Sequence, residues 1–170
     1  MSKAKSKVLI VDDEKEIRDS LEMLLTSEGL GVDTVASGEE GVRAIEGNLY
    51  DLVLLDVMLP GRSGLEIQEE VKSIDPTLPV VIITAMASIE TAVEAIRAGA
   101  HDYITKPWNN EKLITIIKNA IKQRKLYSEN LQLRRALKER FGYSNIVGKS
   151  DRMLTLLDLV TQVAASRSTA

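Results

Sequence analysis

In this sequence the side chains able to do chemistry gather where apolar runs end. KVLIV finishes in Asp12 and Asp13, with Glu14 next; DLVLL finishes in Asp56, PVVII in Thr84, and HDYIT leads into Lys106. If those ends meet in space, three carboxylates converge with a hydroxyl and an ammonium beside them. Carboxylates within ~4–6 Å of one another cannot all stay ionised unless a cation joins them. Mg²⁺ is the hard divalent ion that accepts carboxylate, carbonyl and water oxygens in an octahedral array. Such an ion would also admit a phosphoryl group to a pocket whose acids would otherwise repel it. Taken singly, the positions are ordinary. Asp13-x-x-Glu16 could cap a helix, Asp56 could be a loop acid, Thr84 a β-former closing its run, and Lys106 a surface lysine. Their shared placement is what an ordinary surface does not produce.

The elements that would bring them together follow from periodicity. Apolar runs at 7–12, 31–36, 51–56, 79–84 and 101–105 read as strands. Between them Ile17/Leu21/Leu24/Leu25, Val42/Ile45, Ile67/Val71/Ile74 and Ile89/Val93/Ile96 repeat at the helical period and predict one core-facing apolar stripe each. Ser37-x-x-Glu40 and Ser63-x-x-Glu66 read as capping boxes, and Gly29, Gly47 and Gly99 as helix stops. Strands alternating with helices imply an α/β fold whose parallel sheet is covered on both faces. The first, third and fourth runs are apolar throughout, as central strands must be, while the second and fifth suit the edges. A flavodoxin-like (βα)5 sheet of order 2-1-3-4-5 satisfies this, and its functional crevice lies beyond the carboxyl ends of the strands.

Composition narrows the class. A chain of 170 residues, 44% hydrophobic, allows one good domain plus extensions. No run approaches ~18 apolar residues, and MSKAKSK leads into a short strand-like run, so neither a membrane span nor a signal peptide is expected. The absence of cysteine excludes disulfides and thiolate metal sites and fits a cytoplasmic protein. The net charge of −3 conceals an asymmetry: residues 1–110 carry −10 and residues 111–140 carry +6. An acidic globule therefore bears a basic stalk.

That stalk begins at about Asn109. Leu113, Ile116, Ile117, Ala120 and Ile121 would pack a fifth helix onto the sheet, and Leu126, Asn130, Leu133 and Leu137 continue at alternating spacings of four and three. This is a short a/d seam with one polar member, as in a two-stranded coiled coil; a solvated helix extension is the alternative. The basic flanks lack a nucleic-acid recognition motif. Around Phe141-Gly142 the helix should stop. Beyond it, Ser150 could cap a helix whose face is Met153/Leu156/Leu157/Val160/Ala164. GYSNIVGKS is not a phosphate loop: Gly142 lies six residues before Gly148 where the motif needs five, and Tyr143 fills the required place.

Asp12-Asp13, Asp56, Thr84, Tyr103 and Lys106-Pro107, with DVMLPGRSG and ITKPW, resemble the receiver domain of two-component response regulators over residues 7 to about 122. The resemblance implies that Asp56 is the nucleophile, taking a phosphoryl group from a phosphohistidine on a sensor histidine kinase. It implies Mg²⁺ held by Asp13, Asp56 and the Met58 carbonyl, with Asp12 acting through water. Lys106 would pair with a phosphoryl oxygen, Thr84 would bond another, and Tyr103 would swing inward behind it, altering the face of the fourth helix, fifth strand and fifth helix. The Lys106–Pro107 peptide would be cis. Trp108 stands where the family more usually has Phe, and His101, the only histidine, reads as a loop residue. On this reading the domain is a regulatory phosphoacceptor, not an enzyme beyond its own Mg-dependent phosphorylation and dephosphorylation.

NIVGKSDRMLTLLDLVTQVAAS resembles the opening of the AAA+ domain of NtrC-like, sigma-54-dependent transcription activators, upstream of its phosphate loop. The expected organisation is thus a receiver at 1–122, a linker helix at 123–141 and an AAA+ fragment at 142–170. The implied partners are a second copy through linker and receiver face, sigma-54 RNA polymerase and DNA, with no membrane. Two alternatives compete. A haloacid-dehalogenase-like phosphatase would use Asp12 as nucleophile, but its second acid falls at Glu14. A flavin carrier of the same topology would want a Ser/Thr/Gly-rich loop where this chain has acids.

Overall fold

A computed structural model describes residues 5–85 and 88–140, excepting the side chains of 138–140. The expected AAA+ fragment, with Ser150 and its apolar face, lies outside the described residues. Five strands, β1 (Lys7–Val11), β2 (Gly31–Val35), β3 (Leu52–Leu55), β4 (Val80–Thr84) and β5 (Asp102–Thr105), form one parallel sheet of order β2-β1-β3-β4-β5. They alternate with α1 (Lys15–Ser27), α2 (Gly38–Gly47), α3 (Gly64–Ile74), α4 (Ile89–Arg97) and α5 (Asn110–Arg140).

The alternation of side chains along each strand divides the core in two. Leu9, Val11, Val53, Leu55, Val80 and Ile82 meet Val42 and Ile45 of α2, Ile67 and Val71 of α3, and Ala95 of α4. Val8, Ile10, Leu52, Leu54, Val81 and Ile83 meet Leu21 and Leu25 of α1 and Leu113, Ile117, Ala120 and Ile121 of α5. Burial on both faces explains the unbroken apolar runs of β1, β3 and β4, whose apolar residues are buried throughout; β2 is only half-buried, as an edge strand is.

Helix termini follow their local chemistry. At α3, Ser63 accepts from the Glu66 N–H while Glu66 accepts from the Ser63 N–H, a complete capping box. At α2, Ser37 accepts from the Glu40 N–H, but the Glu40 carboxylate returns to the Ala36 N–H, so the box is not reciprocal. Gly29 and Gly99 adopt φ of 82° and 93° and close α1 and α4 as left-handed stops. Gly47 instead ends α2 as its last helical residue, followed by Asn48 in extended conformation. Asp13 is not a cap: the residue before α1 is Glu14, and its side chain makes no capping bond.

The stripe expected on α4 faces the wrong way. Ile89, Val93 and Ile96 are exposed, and the residue fully buried against the sheet is Ala95. Small residues let α4 lie close to its neighbours, so the period of the large residues marks the outer surface. Ile74, at the end of the α3 stripe, is exposed as well.

The chain divides into two compact units, the first closing at Leu126. Within the first, α5 is tied by Lys118 to Glu28, by Arg124 to Asp75 and by Lys125 to Ser6. In the second, the described part is the helix through Arg140. None of the described helices is long and apolar enough to cross a membrane.

Candidate functional site

The site is made by where strands stop. β1 and β3 run side by side, with Val11 opposite Leu55, so the next residue of each, Asp12 and Asp56, emerges at the same edge of the sheet. The Asp56 N–H bonds the Val11 carbonyl at 2.9 Å and carries the ladder one step further. One strand over, Thr84 ends β4 and its carbonyl accepts from the Lys106 N–H at 2.8 Å, which sets the lysine just past β5. The Lys106–Pro107 peptide is cis. The loop after β3 turns tightly enough that Gly64 approaches it closely: a Cβ there would stand 2.0 Å from the Asp56 carbonyl oxygen.

Ligand oxygens of Asp12, Asp13 and Asp56 lie within 4.8 Å of one another. Asp12 and Asp56 are buried and Asp13 is exposed. Lys106 Nζ, only 9% exposed, reaches Asp56 Oδ2 at 2.6 Å, Asp12 Oδ2 at 2.8 Å and Glu14 Oε1 at 3.0 Å. The remaining oxygens are held from the backbone: Asp12 Oδ1 accepts from the Glu14 N–H at 2.8 Å, and Asp56 Oδ1 from the Met58 N–H at 2.9 Å. Burial pushes the Asp12 carboxyl above the usual range, against the lowering effect of Lys106. Burial pulls the Lys106 ammonium down, yet its bonds to Asp12, Asp56 and Glu14 outweigh that and hold it above the ordinary lysine range. Lys106 is therefore a fixed cation at every physiological pH.

The sequence-derived residues distribute as follows. Asp12, Asp13, Asp56 and Lys106 form one cluster, with Met58 tied to it through its amide while its side chain is exposed. Thr84 is fully buried at the strand end. Tyr103, opposite Ile82, packs partly buried against the core; burial and then the Asp56 charge raise its phenol. Leu126, Asn130, Leu133 and Leu137 are exposed on α5, away from this cluster in sequence and unburied within the chain.

Two participants were not assigned from the sequence. Glu14 adds a third carboxylate to Lys106. Arg18 donates from Nη1 to the carbonyls of Asp12 and Asp13, at 2.6 and 2.9 Å. Glu14 could have been suspected as the last of three consecutive acids. Arg18 carried no signal, since its role depends on how the loop after β1 turns. Beside the cluster opens a cleft of about 500 Å³ lined by Glu14, Ile17, Ala85, Lys106, Pro107, Trp108 and Asn110.

The donor set fits a hard cation. All three clustered groups are carboxylates, with one ammonium to offset three anionic partners and an exposed acid, Asp13, at the entrance. Oxygen donors of this kind suit a divalent ion that prefers carboxylate, carbonyl and water ligands. Buried carboxylates pressed against a fixed cation also suit capture of an electrophile whose departing or arriving charge the ammonium can meet.

Residues 8–118 match the family model described as response regulator receiver domain. A putative response regulator, NtrX-like, of Rickettsia bellii is 37% identical over 95% of this chain and 34% of its own length. The crystal structure of NtrX from Brucella abortus superposes with a TM-score of 0.71 at 39% identity, over 76% of this chain and 30% of that one. A CheY-like receiver domain structure from Methanospirillum hungatei gives 0.70 at 34% identity, covering 73% and 99%. The chain thus spans about a third of the length of the curated relative first matched. The dehalogenase-like alternative, with Asp12 as nucleophile, finds no support in these matches.

Proposed function

This chain belongs to the response regulator receiver domain family, and on that premise we propose that Asp56 is its phosphoacceptor, loaded by a sensor histidine kinase. The observation that carries the assignment is the position of Asp56: buried, at the carboxyl end of β3, one oxygen on Lys106 and the other on the Met58 amide. An Asp56 oxygen attacks phosphorus, the P–N bond of the donor phosphohistidine breaks, and its electron pair stays on the imidazole, which takes up a proton from water. The product is an aspartyl-phosphate. Lys106 meets the negative charge spread over the phosphoryl oxygens, and because it is already in place this costs little rearrangement.

Mg²⁺ is the cation we assign to the cluster, held by Asp13, Asp56 and the Met58 carbonyl, with Asp12 joining through water. When bound, it supplies charge neutralisation that lets the phosphoryl group approach. Thr84, buried at the end of β4, bonds another phosphoryl oxygen on this reading. Tyr103 follows it inward, and α4, β5 and α5 carry the consequence. A charge cluster added at one point biases a two-state element elsewhere. The domain is a regulatory phosphoacceptor whose own chemistry is limited to gaining and losing that group.

For the longer protein we infer an NtrC-like, sigma-54-dependent transcription activator. The likeness to the NtrX-like relative supports this, since it runs past the receiver through residues 123–141, read as the linker, and into 142–170, read as the start of an AAA+ domain. Exposed Leu126, Leu133 and Leu137 with Asn130 between them suit a homodimeric linker, and exposed Ile89, Val93 and Ile96 on α4 offer apolar surface for a receiver face. Phosphorylation would then alter pairing of the copies and so the ATPase ring, DNA and sigma-54 polymerase downstream, in the cytoplasm.

Incubation with acetyl phosphate and Mg²⁺ tests the central claim. Intact mass should rise by one phosphoryl group, base-labile, and chelator should prevent it. Asp56→Ala should gain nothing; a variant that still gains the group disproves the assignment.

A further inference from the structure

In an extended strand, successive carbonyls point to opposite sides, as do successive side chains. The carbonyls of Asp12 and Asp13 do not: both reach a single nitrogen, Nη1 of Arg18, at 2.6 and 2.9 Å. The Asp12 N–H still bonds the Val35 carbonyl of β2 at 3.2 Å, so the backbone curls off the sheet just past that amide, and the curl is what allows two consecutive carboxylates to converge with Asp56 within 4.8 Å. From the other side the turn is held by Asp12 Oδ1, which accepts from the Glu14 N–H. Arg18 sits on the first turns of α1 and its own N–H is fixed to the Glu14 carbonyl at 3.1 Å, so the guanidinium is anchored at the base of the loop it grips.

We propose that Arg18 is a positioning residue for the acidic site: by clamping two successive carbonyls it presets Asp12 and Asp13 to receive a divalent cation. The proposal rests on the metal-site reading given above and extends it to a residue that touches neither metal nor phosphoryl group. Two opposing effects make it testable. As a nearby positive charge, Arg18 should repel a cation; as a clamp, it should favour binding, because groups that orient ligands typically govern affinity by about 10-fold or more. Clamping outweighs repulsion here because charge-assisted bonds to two successive carbonyls, one partly buried and one exposed, fix backbone geometry, whereas the repulsion from a partly exposed guanidinium is weakened by solvent and salt.

The test is a Mg²⁺ titration of the whole chain by calorimetry, cross-checked by fluorescence of Trp108, the only tryptophan, which lines the cleft with Lys106. Arg18→Gln should raise the Mg²⁺ dissociation constant about 10-fold, and Arg18→Lys, which keeps the charge and one shorter donor, about threefold. Lys15→Gln removes a cation from the same helix that pairs with Asp19 and does not reach the loop, and should leave the constant unchanged or slightly lower. Arg18→Gln binding as tightly as the unaltered chain, or more tightly, overturns the clamp, and so does a variant that loses thermal stability at unchanged affinity. If Arg18→Gln does not fold, Arg18→Lys decides alone: unchanged affinity overturns the proposal. Should the unaltered chain itself bind no Mg²⁺, the metal-site reading fails and the clamp fails with it, whereas normal binding in the parent with equal binding in the variants refutes only the clamp.

Discussion

The two ends of the sheet each place a lysine among carboxylates, and they are built on different terms. At the amino end, Lys7 Nζ meets Asp33 Oδ2 at 2.6 Å with both side chains well exposed, at 38% and 40%. The ammonium sits 5.0 Å over the Tyr50 ring, and the Tyr50 hydroxyl donates to the same Asp33 oxygen at 2.6 Å. One cation faces one anion in reach of water. At the carboxyl end one ammonium, 9% exposed, faces Asp12, Asp56 and Glu14, with Asp13 beside them. The first cluster is complete as it stands, and its effect is to pin the edge strand β2 to β1 and the start of β3. The second is short of positive charge in a place where charge is expensive to bury. A balanced, wet ion pair needs nothing further; an unbalanced, largely buried one has carboxylates to spare for a cation, which is the basis of the metal-site proposal.

The two lysines should differ most in what their loss does to stability. Removing one partner from a buried pair leaves the other uncompensated and costs about 3–5 kcal/mol. Lys106→Met, which keeps the aliphatic stem, should lose about 3 kcal/mol in urea unfolding with chelator present, the lower figure because Glu14 opens the cluster to solvent. Millimolar Mg²⁺ should restore a larger share of stability to this variant than it adds to the parent. The matching Lys7→Met should lose no more than about 1 kcal/mol and be indifferent to Mg²⁺. Equal losses at both ends, or an equal response to the ion, would break the distinction.

The carboxyl end of this contrast is legible in the residues alone. The sheet order followed from which runs were apolar throughout, because strands covered on both faces have no polar position to spare. The carboxyl-end residues were visible because strand termini aligned by a parallel sheet put Asp12, Asp56, Thr84 and Lys106 at one edge. What stayed hidden depended on small residues and backbone. Large aliphatics at the helical period named Ile89, Val93 and Ile96 as the inner face of α4, but Ala95 occupies it, since close approach favours small side chains and periodicity weights large ones. The close passage of Gly64 beneath Asp56 and the grip of Arg18 on two carbonyls are likewise properties of the turned chain, with no pattern in residue type to announce them. The Lys7–Asp33–Tyr50 cluster escaped for a related reason: even its nearest members, Asp33 and Tyr50, are 17 residues apart in sequence, joined only by register.

A middle-sized effect sharpens the amino end. Tyr50 is buried, and burial followed by the Asp33 carboxylate holds its phenol protonated well above the usual range. Tyr50→Phe deletes one hydrogen bond and leaves the ring in place. The expected loss is about 1 kcal/mol, that of an ordinary hydrogen bond and below the usual range for a charged acceptor, because half-exposed Asp33 can recruit water instead. A loss above about 3 kcal/mol in chemical denaturation would mean that this cluster is as dry as the other one, and the contrast would fall.

The smallest effect is also the one in which the two ends oppose each other. Asp33 is held below the usual carboxyl value of 3.8 by its bond to Lys7 and then by its bond to Tyr50. A depressed carboxyl stabilises the fold above its unfolded value and loses that contribution as pH falls through the folded one. Asp12 is shifted the other way, raised by burial despite Lys106, so its ionised form is a cost near neutrality that acid relieves as pH falls through a folded value above 3.8. Urea denaturation of the parent and of Asp33→Asn, followed from pH 7 down to pH 3, should therefore show a gap of no more than about 0.5–1 kcal/mol that closes only at the acid end and shrinks in high salt. For Asp12→Asn without Mg²⁺ the sign reverses: the variant should be the more stable at neutral pH, and its advantage should fade at a higher pH than the Asp33 gap does. Parallel curves for the two variants would show that the ends titrate alike, and that surplus buried charge is not what separates them.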